Sequence, residues 1–153
     1  MLRAITEIVV FDFIASVALV AIQAGSQPAP YCPVRYATRH VTSLAELPPQ
    51  VKADILKSGA IADMGEPYEG TDSITDPNLP RRRFVSAGSS NHRWFVVIDH
   101  GGYDRHFDVI GYAQLWAKRD SFTWHRSAVL QGDPCIAINA FLDGVWTPET
   151  SGH

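Results

Sequence analysis

The residues with the most chemistry within reach of one another are Asp99, Asp104, His106 and Asp108. They flank Gly101-Gly102, which reads as a two-residue hairpin turn because both glycines accept positive φ without penalty. That turn sets a register in which His100 faces Tyr103, Asp99 faces Asp104, Val97 faces His106 and Phe95 faces Asp108. Three carboxylates and one imidazole then crowd one hairpin, and like charges opposed across a sheet repel. A divalent ion such as Zn²⁺ or Mn²⁺ would offset the repulsion, since both accept imidazole and carboxylate donors. The same groups would supply an acid and a base for metal-assisted hydrolysis. The plainer account is a polar hairpin tip whose acids are hydrated, with no cofactor at all.

A second kind of chemistry is recognition. Tyr103, Tyr112 and Trp116 lie on and beyond the same hairpin, and together they predict an exposed aromatic patch for a protein or a small ligand. The remaining histidines add little: His92, His100 and His125 show no His-x-x-x-His spacing. No Gly-x-Ser-x-Gly elbow, phosphate-cradling Gly-x-x-x-x-Gly-Lys or Cys-x-x-Cys occurs. Gly88-Ser89-Ser90 has no base at a predictable position, so it makes a poor nucleophile. These absences lean away from an enzyme and toward a binding module without catalysis.

The elements that must hold these residues read as α+β. Trp94-Phe95-Val96-Val97-Ile98 predicts a central strand from Arg93 to His100, covered on both faces. Its return is Tyr103 to Ala113, preceded by a short strand from Phe84 to Ala87 and followed by Ser121 to Leu130. Arg35 to Val41 adds a possible edge strand. Pro49 opens a helix of two to three turns with Val51, Ile55 and Leu56 on one face and Gly59 as its stop. Ser43 and Glu46 have capping-box spacing, but Pro48-Pro49 breaks any helix begun there. Asp133-Pro134 caps and opens a second helix with Ile138, Phe141 and Leu142 inward and Gly144 at its end. The expected architecture is a small antiparallel sheet of about four strands with both helices on one face.

Residues 60–80 form a long loop with five acids, Asp63, Glu66, Glu69, Asp72 and Asp76, followed at once by Arg81-Arg82-Arg83. It reads as a solvated acidic loop held to the body by the arginines, because its spacing is not that of an EF-hand.

The N-terminus carries a targeting pattern. Arg3 precedes an apolar run from Ile8 to Ile22, and Ala24, Gly25 and Ser26 follow, as in a secretory signal peptide. The run has 15 residues, short of the ~20 that span a bilayer. Glu7 and Asp12 interrupt the pattern, and a buried N-terminal helix is the alternative. The reading is a signal peptide over 1–26, cut after Ala24 or Ser26, and one α+β domain over 27–153, periplasmic or secreted. Membrane contact then arises only if the leader is kept.

In an oxidising compartment Cys32 and Cys135 would pair, and elsewhere they would remain two thiols. A net charge of −3 argues against a nucleic-acid partner. With 46% hydrophobic and 19% charged residues, the chain has the balance of a folded protein rather than a disordered one.

Leu79-Pro80-Arg81-Arg82-Arg83-Phe84 through Ala87-Gly88, Arg93-Trp94-Phe95-Val96 and His100-Gly101-Gly102 resemble small exported proteobacterial proteins of uncharacterised function. The resemblance covers about residues 60–113. It implies export and the hairpin, and brings no activity or catalytic residue with it.

Overall fold

The apolar run at 94–98 needs cover on both sides, and this requirement organises the molecule. The computed structural model describes residues 32–36, 38–118 and 121–147; the expected signal peptide lies outside them. Five strands, β1 (Arg39–Val41), β2 (Arg82–Ser90), β3 (Arg93–His100), β4 (His106–Lys118) and β5 (Ser121–Gln131), join with helices α1 (Pro49–Leu56) and α2 (Pro134–Leu142). The strands form one sheet in sequence order, antiparallel at every step, with β3 at its centre. An α+β fold with an antiparallel sheet is therefore present, with five strands rather than four.

The helices sit on opposite faces, which corrects the expectation of one. On the first face Val51 and Ile55 of α1 pack with Phe84, Trp94, Val96, Ile98, Ile110 and Tyr112. On the second face Ala137, Ile138, Phe141 and Leu142 of α2 pack with Phe95, Val97, Val109 and Ala128. Alternation along β3 sends even-numbered side chains one way and odd-numbered ones the other, and both sets are apolar. A single helical layer would have left one set in water, at roughly 25 cal/mol for each Å² exposed.

Local signals set the helix ends as predicted. Asp133 accepts hydrogen bonds from the amides of Cys135 and Ile136, and Pro134 occupies the first turn of α2. Pro49 likewise opens α1. Ser43 caps a single 3₁₀ turn, Leu44–Glu46, which ends before the prolines. Cys32 and Cys135 form a disulfide with Cα atoms 5.0 Å apart, fastening the entry segment to the start of α2. Asn139 and Asp143 continue this seam along the helix, bonding Arg35, Tyr36 and the carbonyl of Pro33.

The predicted hairpin turn is not two residues long. His100 pairs with His106, Asp99 with Phe107 and Ile98 with Asp108, so the loop runs from Gly101 to Arg105. Gly102 keeps a positive φ of 105° in this longer loop, whereas Gly101 serves the neighbouring segment at Glu69 and Gly70. A Cβ on Gly101 would lie 2.7 Å from the Cα of Gly70 and closer still to the carbonyl oxygen of Glu69. A two-residue turn lies one hairpin earlier, where Asn91 and His92 both have positive φ, 44° and 63°.

Candidate functional site

The corrected register moves every residue of the β3–β4 hairpin relative to its partner. A shift of three places is odd, so side chains expected on one face arrive on the other. Asp99, Asp104, His106 and Asp108 are consequently dispersed. Asp99 points to the α2 face, Asp104 is exposed in the loop, and only His106 and Asp108 share a surface.

Asp99 is 0% exposed and fully employed. Its Oδ2 accepts from Tyr68 Oη, Arg83 Nη2 and Arg105 Nη2, each at 2.9 Å, and its Oδ1 accepts from Arg105 Nε at 3.2 Å. Burial works to raise its carboxyl pKa, but the hydrogen bonds from Arg105 and Tyr68 and the two guanidinium charges outweigh it and lower the value. A carboxylate already neutralised by two guanidiniums attracts a metal cation poorly. It anchors the loop before β2, with Arg83 also stacked 4.2 Å over the Tyr68 ring.

The acids of that loop divide between structure and solvent. Glu69 is 4% exposed and accepts from Thr71 Oγ1, Thr75 N and Oγ1, and Asp76 N. Asp63 accepts from Ser43 Oγ and Leu44 N. The loop is thus fastened partly by its own carboxylates, and of the arginines Arg83 holds it through Tyr68 and Asp99. Arg82 turns the other way and donates to the carbonyls of Ile55 and Gly59 beyond α1.

On the α1 face, His106 and Asp108 meet a residue the sequence reading had left aside. His100 Nε2 lies 3.0 Å from Asp108 Oδ2, His106 Nε2 lies 3.7 Å from Asp108 Oδ1, and the two imidazoles stack 9° from parallel with centroids 4.7 Å apart. Asp104 contributes through its backbone, because His106 Nδ1 donates to its carbonyl at 2.5 Å. A carbonyl only accepts, so Nδ1 carries the proton, and in the neutral ring Nε2 presents its lone pair toward Asp108. His100 Nε2, Asp108 Oδ1 and Arg82 Nε are inaccessible to solvent and make no hydrogen bond of ordinary geometry, although His100 Nε2 stands 3.0 Å from Asp108 Oδ2. Burial pushes the His100 imidazole below its ordinary pKa even though Asp108 opposes the shift. His100 was recoverable from the sequence only by allowing a longer loop at Gly101-Gly102.

The predicted aromatic patch also separates. Tyr103 is 93% exposed in the loop, whereas Tyr112 is 1% exposed in the core, its phenol donating to Asp54 Oδ2. Trp116 is exposed, but with other neighbours. Past the Gln114 N to His92 O bond β4 has no partner in β3, and it continues with β5 as a two-stranded ribbon. Trp116 pairs with Phe122 and Gln114 with Trp124 across this ribbon. The rings of Trp116, Phe122, Trp124 and Trp94 follow one another edge to face, at centroid distances of 6.4, 5.7 and 6.4 Å. Exposure rises along the series from 6% at Trp94 to 45% at Phe122 and 71% at Trp116.

An open groove of about 1090 Å³ adjoins this strip between α1 and β5, lined among others by Gln50, Asp54, Lys57, Trp124 and Arg126. The outer edge of β5 above it is partly closed. Gln50 accepts from the amide of Trp124, Thr147 Oγ1 accepts from Val129 N, and Thr147 N donates to Ser127 O. The fold and its surfaces define an α+β meander with one helix on each face and an aromatic ribbon at one end. Set against known proteins, the chain matches no family model, no curated protein and no solved structure.

Proposed function

We propose that this protein is an exported interaction module that docks an apolar segment of a partner polypeptide on its ribbon. One observation carries the reading: the Trp116–Phe122–Trp124 strip, which begins in the core and ends in water. Large aromatics left exposed side by side are the residue type that dominates binding at protein interfaces. Their perpendicular packing favours a polypeptide over a polysaccharide, because neighbouring rings 78° and 81° from coplanar form no continuous flat platform on which a row of sugar rings could stack. The protected edge of β5 favours recognition by side chains over addition of a strand along 124–129. Export is part of the same proposal. The N-terminal apolar run and the disulfide support it, and no helix among the described residues is long and apolar enough to cross a membrane.

The test is selection of a displayed random-peptide library on the full chain, repeated with a Trp116→Ala, Phe122→Ala variant. Enriched peptides share an apolar pattern and bind the variant at least about tenfold more weakly, the loss expected when a hot spot is truncated. Failure to enrich any peptide, or equal binding by the variant, overturns the proposal. Binding of chitin or cellulose oligomers through the same two residues replaces it with a glycan-binding role.

A further inference from the structure

We propose that His100, His106 and Asp108 bind a divalent transition-metal ion of the zinc type. Unsatisfied electron pairs carry the argument. His106 is held by the Asp104 carbonyl in the tautomer whose free nitrogen is Nε2, and that nitrogen faces Asp108 Oδ1, itself buried without a donor. His100 Nε2, also buried without a hydrogen bond, stands 3.0 Å from Oδ2 of the same carboxylate and offers a further electron pair when its proton is on Nδ1. Two acceptors directed at one another repel unless something positive lies between them, and buried polar atoms are seldom left unpaired. A metal ion satisfies all three at once.

The spacing fits a small ion. Ligands about 2.0–2.1 Å from a tetrahedral zinc lie roughly 3.3 Å from one another. His106 Nε2 lies 3.7 Å from Asp108 Oδ1, close to that value, and the three donor atoms all fall within 4.8 Å of each other, a spread that a turn of one ring closes. Coordination in the plane of both imidazoles requires one ring to turn out of the stack, because parallel planes do not meet at a common ion. His106 is the ring held by a carbonyl on its far side, the arrangement that orients metal-binding histidines, so His100 is the one that turns.

The donor set also selects the ion. Ca²⁺ and Mg²⁺ prefer all-oxygen shells, whereas two imidazoles and one carboxylate suit zinc and its neighbours. Arg82 pairs with His100 from β2 and places a positive charge on the same face, so general attraction for cations is weak there. Binding must come from the ligand bonds themselves. Three protein ligands leave a fourth position for water, as in sites that do chemistry rather than closed structural ones.

The experiment is zinc titration of chelator-stripped full-length protein, followed by calorimetry and by the side-chain nitrogen signals of the histidines. The expected result is one zinc per chain, with the Nε2 signals of His100 and His106 moving together. His106→Gln and Asp108→Asn should each weaken binding by more than the ~10–100-fold that loss of an outer-shell partner costs. His125→Gln, on β5 away from the site, should leave it unchanged. Absence of bound zinc in the parent protein overturns the proposal, as does equal binding by His106→Gln and Asp108→Asn. So does a His106 Nε2 signal that stays protonated through the titration, since a proton then fills the gap. The parent's own signals decide the matter even where a variant fails to fold.

Discussion

The phenol of Tyr112 donates to Asp54 Oδ2 over 2.9 Å, and this bond ties β4 to α1. Arg126 of β5 donates to the same oxygen from Nε at 2.8 Å, and Lys57 reaches the other carboxylate oxygen at 3.2 Å. Burial chiefly raises the Tyr112 pKa, and the adjacent carboxylate adds to the rise, so the phenol stays a donor throughout the physiological range. Tyr112→Phe removes the hydroxyl without changing the packing of the ring. Asp54 keeps Arg126 and Lys57, which limits the penalty. The expected loss is about 1.5–2 kcal/mol, the low end of the range for hydrogen bonds to charged groups. It should appear as a lower urea midpoint at an unchanged slope.

Glu69 gives the fold a dependence on acid. The backbone bond from Asp76, with the hydroxyl and amide of Thr75, brings its carboxyl down from the ordinary range to about 2. A carboxyl with a depressed pKa binds fewer protons folded than unfolded. Its contribution is therefore complete above an unfolded value near ~4.3 and is lost as pH falls from there toward about 2. Unfolding free energy measured in urea between those limits should fall less steeply for Glu69→Gln than for the parent chain. Asp54 and Asp99, whose pKa values are also lowered, contribute to both curves, so the difference belongs to Glu69.

The disulfide closes a loop of 103 residues and holds a segment whose other contacts lie along α2. The native protein should show no thiol to a thiol reagent, since both of its cysteines are in the bond. A Cys32→Ser, Cys135→Ser variant should lose about 2–4 kcal/mol, somewhat less than the ~4.7 kcal/mol of the chain-entropy limit. Urea unfolding of the two forms side by side measures it. Far-UV circular dichroism should change little, because the described residues ahead of Arg39, 32–36 and 38, contribute no strand or helix.

What could be read from the residues was whatever a short window determines. The apolar run of β3 marked the central strand, Pro49 and Asp133-Pro134 marked the helix starts, and small residues followed each helix. Reading β3 as covered on both faces already required a layer on each side, yet the helices were both assigned to one. Partners distant in sequence were not legible. β2 continues past Ala87 through Gly88-Ser89-Ser90, which looks like a turn until Phe95 is seen lying over Gly88. The site failed for the same reason: Gly101-Gly102 reads as a two-residue turn locally, and only the backbone at Glu69 and Gly70 explains Gly101 otherwise. His100 and the ribbon aromatics Phe122 and Trp124 were consequently missed, while Tyr112 was placed outside when it belongs to the core.

Gly101→Ala separates the two readings of that hairpin. Gly101 is not among the residues with positive φ, whereas Gly102 is, at 105°. A two-residue primed turn at these positions would need positive φ at Gly101, and alanine there would be resisted by the backbone itself. In the observed loop the obstacle is instead the packed chain at Glu69 and Gly70, against which the new methyl would press. Backbone atoms cannot rotate aside as a side chain does, so Glu69 and Gly70 must move together. The expected cost is about 1–3 kcal/mol, typical of overpacking. It should also be local: hydrogen exchange should quicken at the amides of Thr75 and Asp76, which donate to the Glu69 carboxylate. If the variant is as stable as the parent and those amides exchange at the parent rate, the loop does not rest on the hairpin, and the register of β3 and β4 must be set by something other than this contact.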